Sequence, residues 1–228
     1  TRFSGVTGVQ TCALPISIWR KVKQLIANKT YSLKGIVKGH HLMTYRGVPC
    51  IKCPFDYVIY QMILNEVRPD LIIEVGTNCG GSALYLADIL ENIGGGEIHT
   101  IDIDDRAYDL VKKNKRIKFF HNGWEGYGVE NTKGFQKILI IEDGSHQFQS
   151  TLGALNKLGH LVTKGSYLIV EDGIVDALGQ SDDFDGGPVK AIKQYLKNNT
   201  DFLIDDQWIN MFGKSATFNT MGYLKKLN

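Results

Sequence analysis

The sequence feature that most constrains the fold is the stretch from Asp70 to Ser82, DLIIEVGTNCGGS. Its apolar run, Leu71 to Ile73, is typical of a strand that is buried on both faces, and glycines follow this run directly. Glycine adopts positive φ angles and allows close approach to the backbone, as a tight turn requires. Apolar residues then recur with helical spacing from Ala83 to Leu90, so the N–H groups that begin this helix would point at the turn. The stretch predicts a strand–turn–helix unit of the kind that binds nucleotides.

The spacing of the glycines argues against a dinucleotide as the ligand. A dinucleotide fingerprint is GxGxxG, whereas this sequence has Thr77 and Asn78 where the second glycine would stand. Glu74 at the strand end suits a ligand that has an ammonium group and no phosphate, and S-adenosylmethionine (SAM) is such a ligand. The next strand, EIHTID, ends at Asp102, whose carboxylate can accept hydrogen bonds from both ribose hydroxyls. The alternative is a glycine-rich loop without a ligand.

Length and composition indicate a single domain. The chain has 228 residues and a net charge of +2 with mixed signs, so it lacks the basic surface of a nucleic-acid-binding protein. It contains no run of about 18 apolar residues, and we expect no stable membrane insertion. Its four cysteines form no regular framework, which favours a reducing compartment, and we expect a cytoplasmic protein.

From residue 49 onward the sequence alternates between strand and helix patterns. This alternation predicts an α/β, Rossmann-like domain over residues 49–228, with a mostly parallel seven-stranded sheet and helices on both faces. The predicted strands are 71–75, 97–102, 117–121, 137–142 and 166–171, followed by two late segments, Phe202–Ile204 and Phe218–Leu224. The predicted helices are 55–67, 82–92, 105–113, 147–162 and 188–199.

The first 48 residues divide into three parts. Residues 6–16, VTGVQTCALPI, resemble a translated sequencing-library adapter, so we expect residues 1–17 to be a non-native or disordered extension; an ordinary N-terminal arm is the alternative. One face of a basic amphipathic helix then carries Ile18, Trp19, Val22, Leu25 and Ile26. This face predicts docking on the domain or on a second copy of the chain in a homo-oligomer, with a membrane surface as the alternative. A polar connector over Lys29–Val48 completes the segment 18–48.

Cys50 and Cys53 form a single CxxC pair with two opposing interpretations. The pair could be half of a zinc site or a redox pair, but a structural zinc needs four ligands and the sequence has no second CxxC. The alternative is that Cys53 and Pro54 simply begin the helix 55–67, with the proline in its first turn.

Two strand ends in the second half of the chain are acidic. Residues 138–141 lead into Glu142-Asp143-Gly144-Ser145-His146, and residues 167–170 lead into Glu171-Asp172. The carboxyl ends of parallel strands open on one edge of a sheet, so we expect Asp143, Glu171 and Asp172 to converge beside the glycine turn. Three carboxylates would repel one another without a cation between them, and oxygen ligands favour Mg²⁺. The alternative is that these acids cap neighbouring helices.

His146 is the candidate general base, and it lies three residues beyond Asp143, the other candidate catalytic residue. An imidazole with a pKa near 6.5 can accept a proton at neutral pH. If Asp143 binds a metal ion, His146 lies near the oxygen of the bound substrate. The alternative is a histidine at a helix start or in solvent.

These residues resemble the cephalosporin hydroxylase/rhamnosyl O-methyltransferase family of class I SAM-dependent methyltransferases. The resemblance extends from Tyr45 to Leu227 and rests on YRGVPCIKCPFD, RPDLIIEVGTNCGGSALYLADIL, IHTIDID, IIEDGSHQ, LVTKGSYLIVEDGIV and TFNTMGYLKK. A more distant similarity, to the Mg-dependent catechol-type O-methyltransferases, covers EVGTNCGGSA, IDID, Asp143 and the acidic pair. In those relatives the base, usually lysine, stands three residues after the first metal-binding aspartate, and His146 occupies that place.

The resemblance implies a class I methyltransferase fold and a role for each candidate residue. It implies SAM binding by Glu74, Gly76, Thr77, Asn78, Gly80, Ser82, Asp102, Gly123 and Trp124, although Trp124 replaces a small polar residue. It implies binding of Mg²⁺ by Asp143, Glu171 and Asp172. The implied reaction moves a methyl group from SAM to a hydroxyl of a sugar or secondary metabolite; a metal-independent enzyme and a non-catalytic SAM-binding protein are the alternatives. The Asp- and Gly-rich segment Ile174–Gly187 is typical of a lid that would select the acceptor.

Overall fold

The computed structural model describes residues 17–23 and 32–228. Its N-terminal part contains helix α1 (residues 17–23), helix α2 (Leu33–His40) and a small hairpin of β1 (Thr44–Tyr45) and β2 (Val48–Pro49). The predicted connector is therefore folded over these residues, and the Ser32 hydroxyl caps α2 by accepting a hydrogen bond from the Gly35 N–H at 3.0 Å. Residues 1–16 of the predicted extension, Leu25 and Ile26 lie outside the described residues.

A seven-stranded sheet forms the centre of the domain, as predicted. Its strands are β3 (Leu71–Val75), β4 (Glu97–Ile101), β5 (Ile117–Phe120), β6 (Ile138–Glu142), β7 (Tyr167–Val170), β8 (Phe202–Ile204) and β9 (Tyr223–Lys226). They are arranged in the order β5-β4-β3-β6-β7-β9-β8. The pairs from β5 to β7 are parallel, and β9 runs antiparallel to both of its neighbours. The sheet is therefore mostly parallel.

Helices cover both faces of this sheet. They are α3 (Pro54–Val67), α4 (Gly81–Ile93), α5 (Asp109–Lys112), α6 (Gly123–Gly126), α7 (Phe148–Leu158), α8 (Gly187–Leu196) and α9 (Asp206–Asn210). Ile72 packs in the same core as α3 and α4, whereas Leu71 and Ile73 pack in the core that contains α7 and α8. Successive side chains of a strand point to opposite faces, and both faces of β3 are covered, so every residue of β3 is buried. This burial explains the apolar run from Leu71 to Ile73.

Several predicted elements have different boundaries in the structure. The helix predicted over 105–113 is confined to Asp109–Lys112, because the backbone of Tyr108 is extended, and the helix 147–162 ends at Leu158 before a 3₁₀ turn. The strand predicted over Phe218–Leu224 begins five residues later in the structure, because β9 starts at Tyr223. Phe218 is buried in a small core with Cys53 and Ile174, so its apolar character reflects packing of an irregular segment.

Two further expectations concern the N-terminal region. Ile18 and Trp19 of α1 are 42% and 49% exposed, so the apolar face of α1 is not packed on the domain over the residues that the structure describes. Cys53 directly precedes α3 and Pro54 lies in its first turn, so the pair begins the helix; Cys50 and Cys53 are both buried free thiols. Within residues 17–23 and 32–228, no helix combines the length and apolar character needed to cross a membrane.

Candidate active site

A cavity of about 580 Å³ opens at the carboxyl ends of the parallel strands. Its wall contains Gly76 after β3, Asp102 after β4, Gly123 after β5, the segment 143–146 after β6 and Asp172 after β7. Sites in open α/β sheets lie at this edge, and the volume is within the range of roughly 300–1,000 Å³ that is usual for small-molecule sites. The structure thus brings the two halves of the predicted site into one cavity.

Gly76 is required where β3 ends, because the chain passes very close to the loop after β6. The residue has a φ of +99°, and a Cβ atom added there would lie 1.9 Å from the carbonyl oxygen of Asp143. Gly80 has a φ of +83° at the start of α4, and a Cβ there would lie 2.7 Å from Val111 Cγ1. Gly76 and Asn78 line the cavity, whereas Gly80 shapes the turn from behind it.

Glu74, Thr77 and Ser82 lie behind the glycine turn and are absent from the cavity wall. The Glu74 carboxylate accepts hydrogen bonds from Ser82 Oγ at 2.5 Å and from Thr100 Oγ1 at 2.7 Å, and Thr77 Oγ1 lies 2.8 Å from Thr100 Oγ1. Burial raises the pKa of Glu74 to about 7. These bonds hold the end of β3 against the start of α4, and direct contact of the three residues with a ligand stays a prediction.

Asp102 lies in the cavity wall with its carboxylate fixed by the backbone. Its oxygens accept hydrogen bonds from the N–H groups of Asn78 at 2.9 Å, Ile103 at 2.8 Å and Asp104 at 3.2 Å. A carboxylate has about four lone-pair positions, so acceptor capacity remains toward the cavity. This geometry suits the predicted interaction with ribose hydroxyls.

The apolar part of the wall near Gly123 includes Ile103 and Trp124. Ile103 is 76% exposed, so its side chain is available for apolar contact from the cavity. Trp124 packs on Gly153 of α7, where a Cβ would lie 2.5 Å from its ring, and its Nε1 is 3.4 Å from Ser150 Oγ. The sequence analysis missed Ile103, although its position directly after the acidic end of β4 was a usable signal.

Asp143, His146 and Asp172 converge at the other side of the cavity. Each offers one ligand atom, and these three atoms lie within 4.8 Å of one another. His146 Nε2 is 3.3 Å from Asp172 Oδ2. Both His146 and Asp172 have positive φ angles, 59° and 55°, which are uncommon for residues other than glycine and occur at functional sites. Two carboxylates and an imidazole are a donor set that fits a divalent cation.

Glu171 lies beside this cluster of three ligand atoms and is not part of it. It is buried, and its Oε1 accepts hydrogen bonds from Lys52 Nζ and, at 2.6 Å, from the Tyr60 hydroxyl. Lys52 Nζ also donates to Asp143 Oδ2 at 3.1 Å. Both bonds to Glu171 use Oε1, so its role as a third metal ligand, through Oε2, stays a prediction. The sequence analysis missed Lys52, whose only signal was a lone lysine between two cysteines.

The surroundings of His146 favour its charged form. Burial opposes the charge, but the carboxylates of Asp172 and Asp143 outweigh burial and raise the pKa of His146 above its ordinary value. Its Nδ1 is buried without a hydrogen-bond partner among the described residues. Phe184, in the 3₁₀ turn Ser181–Phe184 of the predicted lid, packs edge-on against the imidazole with ring centroids 6.0 Å apart. The lid segment therefore contacts the candidate base.

The chain matches a known protein family over most of its length. A sequence model of the family described as Rhamnosyl O-methyltransferase/CmcI matches residues 38–227. The chain belongs to this family. A family member named Rhamnosyl O-methyltransferase, from Mycobacterium leprae (strain TN), is 31% identical over 189 residues, which are 79% of this chain and 82% of the relative. Another of the same name, from Mycobacterium bovis (strain BCG / Pasteur 1173P2), is 31% identical over 185 residues, 77% of this chain and 76% of the relative. The chain is an O-methyltransferase, as the resemblance implied.

Solved structures of this kind of enzyme show the same fold. A CmcI structure described as containing Mg and SAM superposes with a TM-score of 0.63 at 20% identity, covering 98% of this chain and 89% of that chain. The O-methyltransferase from Bacillus cereus in complex with SAH gives 0.53 at 15% identity, covering 92% and 96%. These similarities confirm the class I methyltransferase fold for this family member.

Proposed function

We propose that this enzyme transfers the methyl group of SAM to a hydroxyl of a sugar, in a site that also binds a divalent cation, with Mg²⁺ as the first candidate. One observation carries the proposal: a single cavity joins the wall of Asp102, Ile103 and Trp124 to the cluster of Asp143, His146 and Asp172. The wall of Asp102, Ile103 and Trp124 suits a nucleoside. The cluster of Asp143, His146 and Asp172 suits a cation and offers a proton acceptor. The names of the rhamnosyl O-methyltransferase relatives favour a sugar hydroxyl as acceptor.

The cofactor would lie along the turn between β3 and α4. Asp102 would accept hydrogen bonds from the ribose hydroxyls, while Ile103 and Trp124 would contact the adenine. Gly76 allows the backbone to come close to the methionine part of the cofactor, because no side chain stands between them. The description of the CmcI structure as a complex with Mg and SAM supports both ligands.

Asp143 and Asp172 would hold the cation, with Glu171 Oε2 as the third predicted oxygen ligand. A bound divalent cation lowers the pKa of a coordinated hydroxyl and orients it. Lys52 holds Asp143 Oδ2 from behind, so this carboxylate keeps one oxygen for the cavity. These oxygens would form the donor set on the side of the cavity opposite Asp102.

His146, in its neutral form, would remove the proton from the acceptor hydroxyl. As the oxygen attacks the methyl carbon, the carbon–sulfur bond breaks, the sulfonium becomes a neutral thioether, and the proton moves to the imidazole. The imidazolium that forms lies 3.3 Å from Asp172 Oδ2, measured from Nε2, so its positive charge is stabilised. Phe184 packs on the other side of His146, and the lid segment Ile174–Gly187 would contact the acceptor beside it.

The test is methyl transfer from labelled SAM to a panel of deoxyhexose glycosides and phenols. Asp143→Asn should lower kcat by about 10²-fold or more while the Kd for SAM changes only a few fold, because the loss falls on the transition state. Asp201→Asn, which alters a distant carboxylate paired with Lys226, is the matched control and should retain activity. Activity that survives both chelation and Asp143→Asn would contradict the metal-assisted reaction. Transfer to phenols alone would contradict the sugar acceptor.

A further inference from the structure

Lys52 is a buried cation that touches the acidic site from behind. It lies between the β1–β2 hairpin and α3, and its side chain is 2% exposed. Its Nζ contacts Asp143 Oδ2 at 3.1 Å and Glu171 Oε1, while these carboxylates are 18% and 4% exposed. The Tyr60 hydroxyl donates to the same Glu171 oxygen, and Asn219 Nδ2 donates to the Tyr60 hydroxyl at 3.3 Å. The contacts form one continuous buried network.

Each charge in this network would be costly alone. An isolated ammonium or carboxylate in a protein interior is strongly disfavoured, and two neighbouring carboxylates also repel each other. In the part of the chain that the structure describes, Lys52 is the only lysine or arginine that forms an ion pair with Asp143 or Glu171. It therefore supplies a positive charge between two of the three predicted acids.

The backbone around Lys52 is fixed by the cofactor turn. A Cβ atom added to Gly81, the first residue of α4, would lie 2.3 Å from the carbonyl oxygen of Pro49 and 2.7 Å from Cys50 Cβ. Ile51, the next residue, lines the cavity. The segment that carries Lys52 is thus packed against α4, so the ammonium is held at a defined position relative to both halves of the site.

We propose that Lys52 is a resident counter-ion that positions Asp143 and Glu171 in the metal-free protein, so that the acidic site is formed before a divalent cation binds. Lys52 is a positioning residue, since it is buried behind the cavity wall and does not line it. The binding of a divalent cation at this acidic site rests on the metal site proposed above. The positioning of Asp143 and Glu171 by Lys52 concerns the metal-free protein and is tested separately.

The experiment measures thermal unfolding of the full chain in chelator. Lys52→Met keeps the length of the side chain and removes its charge, and it should lower Tm by roughly 6–20 °C because it leaves two buried carboxylates unpaired. Adding Glu171→Gln to this variant removes the carboxylate charge that Lys52 no longer balances, and it should restore at least half of the loss in Tm. Lys225→Met is the matched control, because Lys225 pairs with the exposed Glu66 at 3.0 Å, and its Tm should change by at most about 3 °C.

The assignment is overturned if Lys52→Met melts like the Lys225→Met control, or if Glu171→Gln restores nothing. If Lys52→Met yields no folded protein, the double variant decides: a folded double variant supports the counter-ion role, and an unfolded one refutes it. Saturating Mg²⁺ should raise the Tm of Lys52→Met more than that of the wild type, because the ion replaces the missing charge. If Mg²⁺ alters neither Tm and Mn²⁺ titration by electron paramagnetic resonance shows no binding, the proposed metal site fails, whereas the chelator data still decide the role of Lys52.

Discussion

Gly76→Ala should damage both stability and the acidic side of the cavity, although alanine adds only one carbon atom. The added Cβ would lie 1.9 Å from the carbonyl oxygen of Asp143, whereas carbon–oxygen contacts in proteins are normally about 3.3–3.6 Å. Neither backbone can move freely, because the Gly76 N–H donates to Ile101 O at 2.8 Å and the Asp143 N–H donates to Val75 O at 2.9 Å. The substitution must therefore break at least one of these hydrogen bonds.

The expected cost has two parts. A residue other than glycine at a φ of +99° carries strain of about 1–2 kcal/mol. A buried backbone group that loses its partner costs about 1–3 kcal/mol more. The sum of about 2–5 kcal/mol corresponds to a fall in Tm of about 4–20 °C for a chain of this size. Because Asp143 is displaced, divalent-cation affinity should fall as well.

Gly94→Ala is the matched control for this prediction. Gly94 ends α4 with a φ of +112°, and a Cβ there would meet nothing within 4 Å, so this variant has the strain without the collision. Thermal unfolding by circular dichroism and calorimetric titration with Mn²⁺ and SAM compare the two proteins. If Gly76→Ala is as stable as Gly94→Ala and binds Mn²⁺ with the same Kd, the close approach of β3 to the loop after β6 does not control the site, and the reasoning is refuted.

Three more predictions concern single side chains. His146→Ala should lower kcat by about 10²–10⁴-fold, with a deficit that shrinks as pH rises and the acceptor hydroxyl ionises without help; a deficit that is flat with pH would make His146 a structural residue. Asp102→Ala should weaken SAM binding by roughly 10- to 100-fold in calorimetry, equally with and without chelator. If SAM binding required Mg²⁺, the separation of the Asp102 side of the cavity from the acidic side would be contradicted. Burial raises the pKa of Asp56 from 3.8 to about 7, so its protonated form stabilises the fold: the contribution is complete below pH 4 and is lost as pH rises through 7. The free energy of unfolding of the wild type should therefore fall by up to about 4 kcal/mol over that range, and Asp56→Asn should remove this part of the fall. A fall of the same size in both proteins, measured by denaturant titration, would contradict this pKa.

Local sequence patterns were sufficient for most of the fold. The run from Leu71 to Ile73 predicted β3 because a strand covered on both faces is rich in successive apolar residues, and the structure confirms that strand. The pattern failed where burial occurs without regular structure, as at Phe218, and where a helix begins late, as after Tyr108. At Phe218 a side chain packed by tertiary contacts gave the same apolar signal as a regular element.

The sequence alone determined that Asp102, Asp143 and Asp172 follow strands, and parallel strands all end on one edge of the sheet, so these residues meet at one cavity. Only the tertiary structure decided which charges pair. Lys52 is 91 residues from Asp143 and 119 residues from Glu171 along the chain, and no periodicity relates positions so far apart. Their contact depends on how the segment before α3 packs against α4, because a long flexible side chain reaches whatever carboxylates the assembled backbone places around it.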